Sequence, residues 1–280
     1  MPDIARPLLI AVTDRRLLKL SPEDWAREAI SGGVDLIQVR EKDLSESDLV
    51  EFASRMLDGA HLCDEQAEGV ASERRILRSL GSQPQVVGNT NIGIANESRG
   101  SDPGLTTKEL FQSSTPSFSV SEETSPREHG VFRPVLSGQP RVQINNARDI
   151  ARLLDCGLHL PESEPIPERS PRPLSRSVHS IESAQRSTSI DFLISGHIFA
   201  TPSKSGLEPR GLEWLGTITS VVDFPVIAIG GINAENAAAC VAYGASGVAV
   251  ISAIAASDDP HSAAAQLRTE IDRAWGQRYG

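Results

Sequence analysis

The chain has 280 residues, enough for one barrel or two smaller domains, and a 39% apolar content that provides for a packed core. Its formal net charge of -10 argues against nucleic acid or an anionic membrane as a general partner, although a few local cations suffice to bind a small anion. The scattered Cys63, Cys156 and Cys240 form no metal-ligand spacing and predict thiols in a reducing cytoplasm, and no apolar run approaches a membrane span.

Pro7 to Thr13 predicts a first strand, too short for the core of a signal peptide. Ser21-Pro22-Glu23-Asp24 supplies an N-cap, a proline at the first helical position and acids in the first turn of a helix that ends near Gly32-Gly33. Val34 to Val39 predicts the second strand, running into Arg40-Glu41-Lys42, and Ser45 caps a helix that reaches about Leu57. From about Gly59 to Pro140 the sequence turns polar, with one helical pattern over Glu68 to Leu80. Two readings fit this stretch, a disordered or loosely packed insertion and a small accessory domain. The first is favoured, because so few apolar residues do not offset the entropy of ordering the chain.

The alternation of strand and helix resumes at Arg141. Val142 to Asn145, Gly157 to Leu160, Leu174 to Val178 and Asp191 to Ser195 predict strands. Asp149 to Leu154 and the residues after Ser180 predict helices, with a proline-rich turn over Pro161 to Pro173. Glu213 to Val222 predicts a further helix. Two apolar runs, Pro225 to Ile232 and Gly247 to Ser252, then flank an alanine-rich helical stretch from Asn233 to Ala245. Such runs belong in a parallel sheet covered on both faces. Eight strands in this rhythm predict an α/β protein, a (β/α)8 TIM barrel with a long polar insertion after the second β/α unit. Residues 1–60 and 139–280 form the barrel, and 61–138 form the insertion.

Gln38, Arg40 and Lys42 alternate along the end of the second strand, which puts them on one face near the C-terminal mouth of a barrel. That face suits a phosphate; a solvated strand end is the plainer reading. Asn145 and Asn146 end the third strand as substrate contacts or turn residues. Glu162 and Glu164 follow the fourth strand as metal ligands or, preferably, exposed acids. His179 closes the fifth strand, where an imidazole can move protons near neutral pH or serve structure alone. The loop from Gly196 to Gly211 brings His197, Thr201, Ser203 and Lys204 over the mouth as a potential lid. Gly230 and Gly231, with Ile251 and Ser252, end the last two strands. There they let backbone N–H groups approach an anion, or simply make a tight turn. No Ser-His-Asp order, Walker loop or zinc spacing occurs.

Seven pieces, in order, resemble the thiamine phosphate synthase and TenI superfamily. They are Val12-Thr13-Asp14, Gln38 to Lys42, Ile144-Asn145, Ser177 to His179, Thr201 to Lys204, Ala228 to Ile232 and Val248 to Ser252. The resemblance implies a homodimeric, cytoplasmic barrel acting on thiazole phosphate. The substrate would be held by Gln38, Arg40, Lys42, Asn145, Ser177, Thr201, Ser203, Lys204, Gly230, Gly231, Ile251 and Ser252. The superfamily has two branches. Synthases join hydroxymethylpyrimidine diphosphate to thiazole phosphate with release of pyrophosphate. They need Mg2+ held by two aspartates, at positions that are Asn146 and Glu164 here. Tautomerases shift a proton on a carboxylated thiazole phosphate and need no cofactor. Ser175 to Ser180, Gly196 to Phe199 and Gly206 to Gly211 resemble the tautomerase branch, which implies His179 as the catalytic residue and His197 as an assistant. The neutral Asn146 in a metal position favours the tautomerase, an isomerase, with the synthase, a transferase, as the alternative. A third reading is a non-catalytic regulator that binds thiazole phosphate.

Overall fold

A computed structural model describes residues 6–62 and 140–280. Eight strands close into an all-parallel barrel in chain order: β1 (Leu8–Val12), β2 (Leu36–Val39), β3 (Val142–Asn145), β4 (Gly157–Leu160), β5 (Leu174–Val178), β6 (Phe192–Gly196), β7 (Val226–Ile229) and β8 (Gly247–Val250). Each strand pairs with its sequence neighbour, and β8 returns to β1 with Leu9 opposite Val248. The helices are α1 (Pro22–Ser31), α2 (46–62), α3 (Arg148–Leu153), α4 (Ile181–Arg186), α5 (Gly211–Val221), α6 (Ala237–Ala242), α7 (Ser252–Ala255) and α8 (Pro260–Tyr279). All eight predicted strands form.

The helix boundaries differ in instructive ways. Ser21 caps α1 as expected, its Oγ accepting from the Asp24 N–H at 3.2 Å. α2 continues through residues 61 and 62, past Leu57 and past the boundary expected at residue 60. α6 is shorter than the predicted stretch because Asn233 and Asn236 spend their side chains on local backbone. Asn236 Oδ1 accepts from the Asn233 N–H at 2.9 Å, and Asn233 Oδ1 from the Glu235 N–H at 3.0 Å, which holds a turn instead of a helix. The 20-residue α8 went unread, although Asp259-Pro260 marks its start: Asp259 Oδ1 accepts from the Ser262 N–H at 2.8 Å. The helical pattern over Glu68 to Leu80, the insertion beyond residue 62 and Cys63 lie outside the described residues. Cys156 and Cys240 are free and buried.

Period-two alternation sorts each strand into two faces. Leu9, Ala11, Ile37, Val142, Ile144, Leu158, Leu193 and Val248 pack outward against helix residues such as Trp25, Met56 and Ile218. A second cluster contains strand residues only: Leu8, Ile10, Val12, Leu36, Phe192, Ile194, Ile227 and Ala249. It fills the barrel interior beneath β1, β2 and β6 to β8. The inward positions of β3 to β5 are instead polar, with Gln143 and Ser175 fully buried and His159 3% exposed. The interior is thus divided into an apolar half and a polar half.

α8 fastens the N-terminal end of the barrel. Arg268 pairs with Asp35 at 2.8 Å and donates to the Pro7 carbonyl at 2.6 Å, while Asp35 also accepts from the Leu9 N–H at 2.8 Å. Losing one partner of a pair this buried costs about 3–5 kcal/mol, because the other charge is left without compensation.

Candidate active site at the barrel mouth

Beyond β7 the chain turns through Gly230 and Gly231, with φ of +104° and +68°. A Cβ on Gly230 would strike His197, and one on Gly231 would strike the Ala200 carbonyl and lie 2.8 Å from Phe199 Cβ. Only glycine lets the loop after β7 lie this close to the loop after β6. The contact is tied by the Phe199 N–H, which donates to the Gly230 carbonyl at 3.0 Å, while Asn236 Nδ2 braces the loop after β7 itself by donating to the Gly231 carbonyl at 2.9 Å. Between these loops and the end of β8 lies a cavity of about 210 Å3, lined by Thr201, Ser203, Gly230, Gly231, Ile251 and Ser252 among others. At its floor the first amides of α7 have no carbonyl of their own helix to bond. The structure therefore brings together the four residues that the sequence assigned to one anion, Gly230, Gly231, Ile251 and Ser252, and adds Thr201 and Ser203 from the predicted lid loop.

Across the mouth, a buried carboxylate organises the cationic strand end. Glu41, 8% exposed, accepts from Thr13 Oγ1 at 2.7 Å and from the Arg15 N–H at 2.9 Å, and pairs with the Arg15 guanidinium at 3.2 Å. Thr13 Oγ1 in turn accepts from the Arg40 N–H at 3.0 Å. These bonds fix the turn that presents Arg40 and Lys42. Neither they nor Lys204 and Arg210 make an ion pair among the described residues, whereas Arg6, Arg15, Arg16, Arg55, Arg172 and Arg268 all do. Lys204 feels the other three. Burial, and then the charges of Arg210, Arg40 and Lys42, hold the Lys204 ammonium below the usual lysine range. Arg210 is steadied by stacking 4.3 Å over the Trp214 ring, whose indole N–H donates to Ser195 Oγ at 3.1 Å. Four cations at one mouth, with no carboxylate partner among the described residues, are an electrostatic demand for an anion.

The polar half of the interior forms one connected chain. Gln143 Nε2 donates to Gln38 Oε1 at 3.1 Å, and Ser175 Oγ donates to Gln143 Oε1 at 2.9 Å. His159 Nδ1 lies 2.8 Å from Ser175 Oγ, and its Nε2 lies 2.9 Å from Ser177 Oγ. Burial, assisted by the charge of Arg40, depresses the His159 pKa to about 3, so the ring is neutral. The sequence reading missed Gln143, His159 and Ser175. The signal was present in the same alternation that singled out Gln38 and Arg40: polar side chains at the inward positions of β3, β4 and β5.

The remaining predicted residues separate. His179 has 44% of its side chain exposed; its Nδ1 lies 2.8 Å from Glu162 Oε2, and its backbone N–H donates to Glu162 Oε1 at 3.0 Å. Glu162, expected as an exposed acid, is only 29% exposed and is held by His179. Burial works to raise its pKa, but hydrogen bonds from Ser183 and His179 outweigh this and hold it below the usual carboxylate range. His197 is buried, with Nε2 3.4 Å from the Leu207 carbonyl, and its Cβ lies where it would meet a Cβ on Gly230. Asn145 is partly buried at the end of β3. Asn146 follows with φ of +55° and gives its N–H to the His159 carbonyl at 2.8 Å. Glu164 is partly exposed. Among the described residues no three His, Cys, Asp or Glu side chains gather closely enough to hold a metal ion.

Fold and site define a (β/α)8 barrel with a backbone-lined cup after its seventh and eighth strands and a cationic cluster facing it. The chain belongs to the thiamine monophosphate synthase family. That family's model matches residues 137–254. A relative from Moorella thermoacetica named thiamine-phosphate synthase is 38% identical over 144 residues, covering 48% of this chain and 69% of its own length. One of the same name from Roseiflexus sp. is 38% identical over 153 residues, covering 51% of this chain and 64% of its own. The chain thus matches about two thirds of the length of these relatives. The solved thiamine phosphate pyrophosphorylase of Pyrococcus furiosus shares the fold, with a TM-score of 0.62 at 22% identity over 96% of this chain and 98% of that one.

These relatives overturn the expectation of a thiazole tautomerase, and with it the isomerase class. Curated relatives at 37–38% identity are named synthases. The expectation weighed one neutral side chain, Asn146, above the cations. Arg40, Lys42 and Lys204 were already placed at the mouth; what the sequence did not single out is Arg210, the charge that adds most, after burial, to lowering the Lys204 pKa.

Proposed function

We propose that this protein is a thiamine phosphate synthase, a transferase that joins hydroxymethylpyrimidine diphosphate to thiazole phosphate and releases pyrophosphate. The observation that carries the reading is that one barrel mouth has two features suited to anions, the glycine-lined cup and a cluster of four cations with no ion pair among the described residues. A single phosphate group would occupy only one. In this reading the thiazole phosphate seats its phosphate in the cup at Thr201, Ser203, Gly230, Gly231, Ile251 and Ser252. The diphosphate lies against Arg40, Lys42, Lys204 and Arg210, with Gln38, Asn145 and Ser177 on the wall between. The thiazole nitrogen lone pair forms a bond to the pyrimidine methylene carbon. The carbon–oxygen bond breaks, and its electron pair leaves with pyrophosphate. Charge develops on the departing oxygen, where fixed cations contribute most to rate. No proton moves in this step, so His179 is not needed as a relay.

Magnesium held by the protein in the way the resemblance implies does not fit the residues present. Asn146 offers a neutral amide, Glu162 is engaged with His179, and Glu164 is left as a single carboxylate. Homodimer assembly and a cytoplasmic location belong to the same proposal and rest on the family resemblance. Among the described residues no helix is long and apolar enough to cross a membrane.

Calorimetry tests the two-feature mouth. Pyrophosphate should still bind with unit stoichiometry to protein saturated with thiazole phosphate, with its affinity changed less than roughly tenfold, an interaction below about 1.4 kcal/mol. Mutually exclusive binding would reduce the mouth to one anion site and remove the argument.

A further inference from the structure

The hydrogen-bond chain in the polar half of the barrel has a direction, and the direction has a consequence at the mouth. Ser175 has one hydroxyl hydrogen, which it gives to Gln143 Oε1; the other end of that amide donates to Gln38 Oε1. Toward His159, 2.8 Å away, Ser175 Oγ therefore offers only lone pairs, and His159 Nδ1 must carry the ring proton. Nε2 is then a lone pair, and the hydroxyl 2.9 Å from it, on Ser177, must donate. The hydrogen of Ser177 is spent inward, so its oxygen faces the mouth as an acceptor. The carbonyl oxygen of Gln38 is also spent inward, which leaves its amide nitrogen as the donor, with no partner among the described residues.

We propose that His159 is a positioning residue: by holding the Nδ1–H tautomer between Ser175 and Ser177, it fixes the mouth wall as a donor at Gln38 and an acceptor at Ser177. Such a wall selects a heteroaromatic edge with a hydrogen-bond acceptor beside a donor. An aminopyrimidine presents that pair, whereas the corresponding oxo-pyrimidine presents the reverse and meets donor with donor. Discrimination against the mismatched edge comes from the polar groups left unpaired, about 10- to 100-fold for one such group. The choice of this ligand edge rests on the synthase reading, while the tautomer does not.

The test has two arms. In unliganded protein with 15N-labelled histidine, long-range proton–nitrogen correlation should show His159 as a neutral ring protonated at Nδ1, over the whole range in which the protein is folded above pH 5. An Nε2–H tautomer or an imidazolium there overturns the proposal, whether or not the protein is a synthase. In the second arm, His159→Asn keeps a donor toward Ser175 but removes the acceptor that holds the Ser177 hydrogen. The preference for amino- over oxo-pyrimidine diphosphate should fall roughly 10-fold or more, through KM more than kcat. An unchanged preference in a folded variant overturns the specificity role. Should His159→Asn fail to fold, Ser177→Ala, which deletes the acceptor itself, must lose the same preference, and an unchanged preference there has the same force. Correct tautomer with no thiamine phosphate formed would instead remove the synthase reading alone.

Discussion

Gly231→Ala should raise the KM for thiazole phosphate by about 100-fold or more while changing the KM for the pyrimidine diphosphate far less. The residue sits at φ +68°, and an added Cβ meets the Ala200 carbonyl and Phe199 Cβ, so the loops after β6 and β7 must part. Those loops carry Thr201, Ser203 and the glycine amides that line the cup. Displacing a binding wall by about 1 Å typically costs on the order of 100-fold. The left-handed conformation and the contact together should also lower stability by about 2–3 kcal/mol, which moves the melting temperature by roughly 5–10 °C in a protein of this size. Steady-state kinetics with each substrate varied in turn, together with a thermal melt, check both numbers. A variant that loses pyrimidine diphosphate binding and keeps thiazole phosphate binding would mean the two anions have been assigned to the wrong halves.

Arg40→Ala should lower kcat by roughly 100- to 1,000-fold, the usual effect of removing one fixed group that stabilises charge developing on a leaving group. Arg40 has no carboxylate partner among the described residues, and its backbone is fixed by Thr13 and Glu41, so the substitution removes charge without releasing a buried acid. Lys204 should reveal the same cluster through pH. Its ammonium is held below the usual lysine range by burial and by Arg210, Arg40 and Lys42. Binding of the diphosphate needs the charged form. Affinity in the free enzyme should therefore fall as pH rises through a range in which an ordinary lysine is still protonated. Lys204→Arg should carry full affinity to higher pH, since guanidinium does not titrate there. A flat profile for the wild type across that range would show that Lys204 does not hold the anion.

What the sequence discloses and what it withholds follow from the range of the interactions. The strands are local: Leu8–Val12, Val226–Ile229 and Gly247–Val250 declare themselves by apolar runs of strand length, and a closed barrel follows from their number and rhythm. The cup is nearly local as well, because barrel topology alone places the loop with Gly230-Gly231 beside the one with Ile251-Ser252. The hydrogen-bond chain is not. Gln38 and Gln143 meet across 105 residues, and His159 reaches Ser175 and Ser177 across 16 and 18. Only their inward parity hinted at a connection. His179 drew notice as an imidazole at a strand end, but its partner Glu162 is in another loop, 17 residues away. His159, sealed in the interior, passed as strand. The relatives decide against the tautomerase, whereas the approach of Arg210, Arg40 and Lys42 to Lys204 is a property of the folded mouth.

The most direct test is to mix the protein with hydroxymethylpyrimidine diphosphate and thiazole phosphate and follow phosphorus resonances as the reaction runs. Thiamine phosphate and free pyrophosphate should appear in equal amounts, and neither should form when either substrate is omitted. Release of pyrophosphate without thiazole phosphate, or binding of both substrates with no thiamine phosphate formed, would contradict the account.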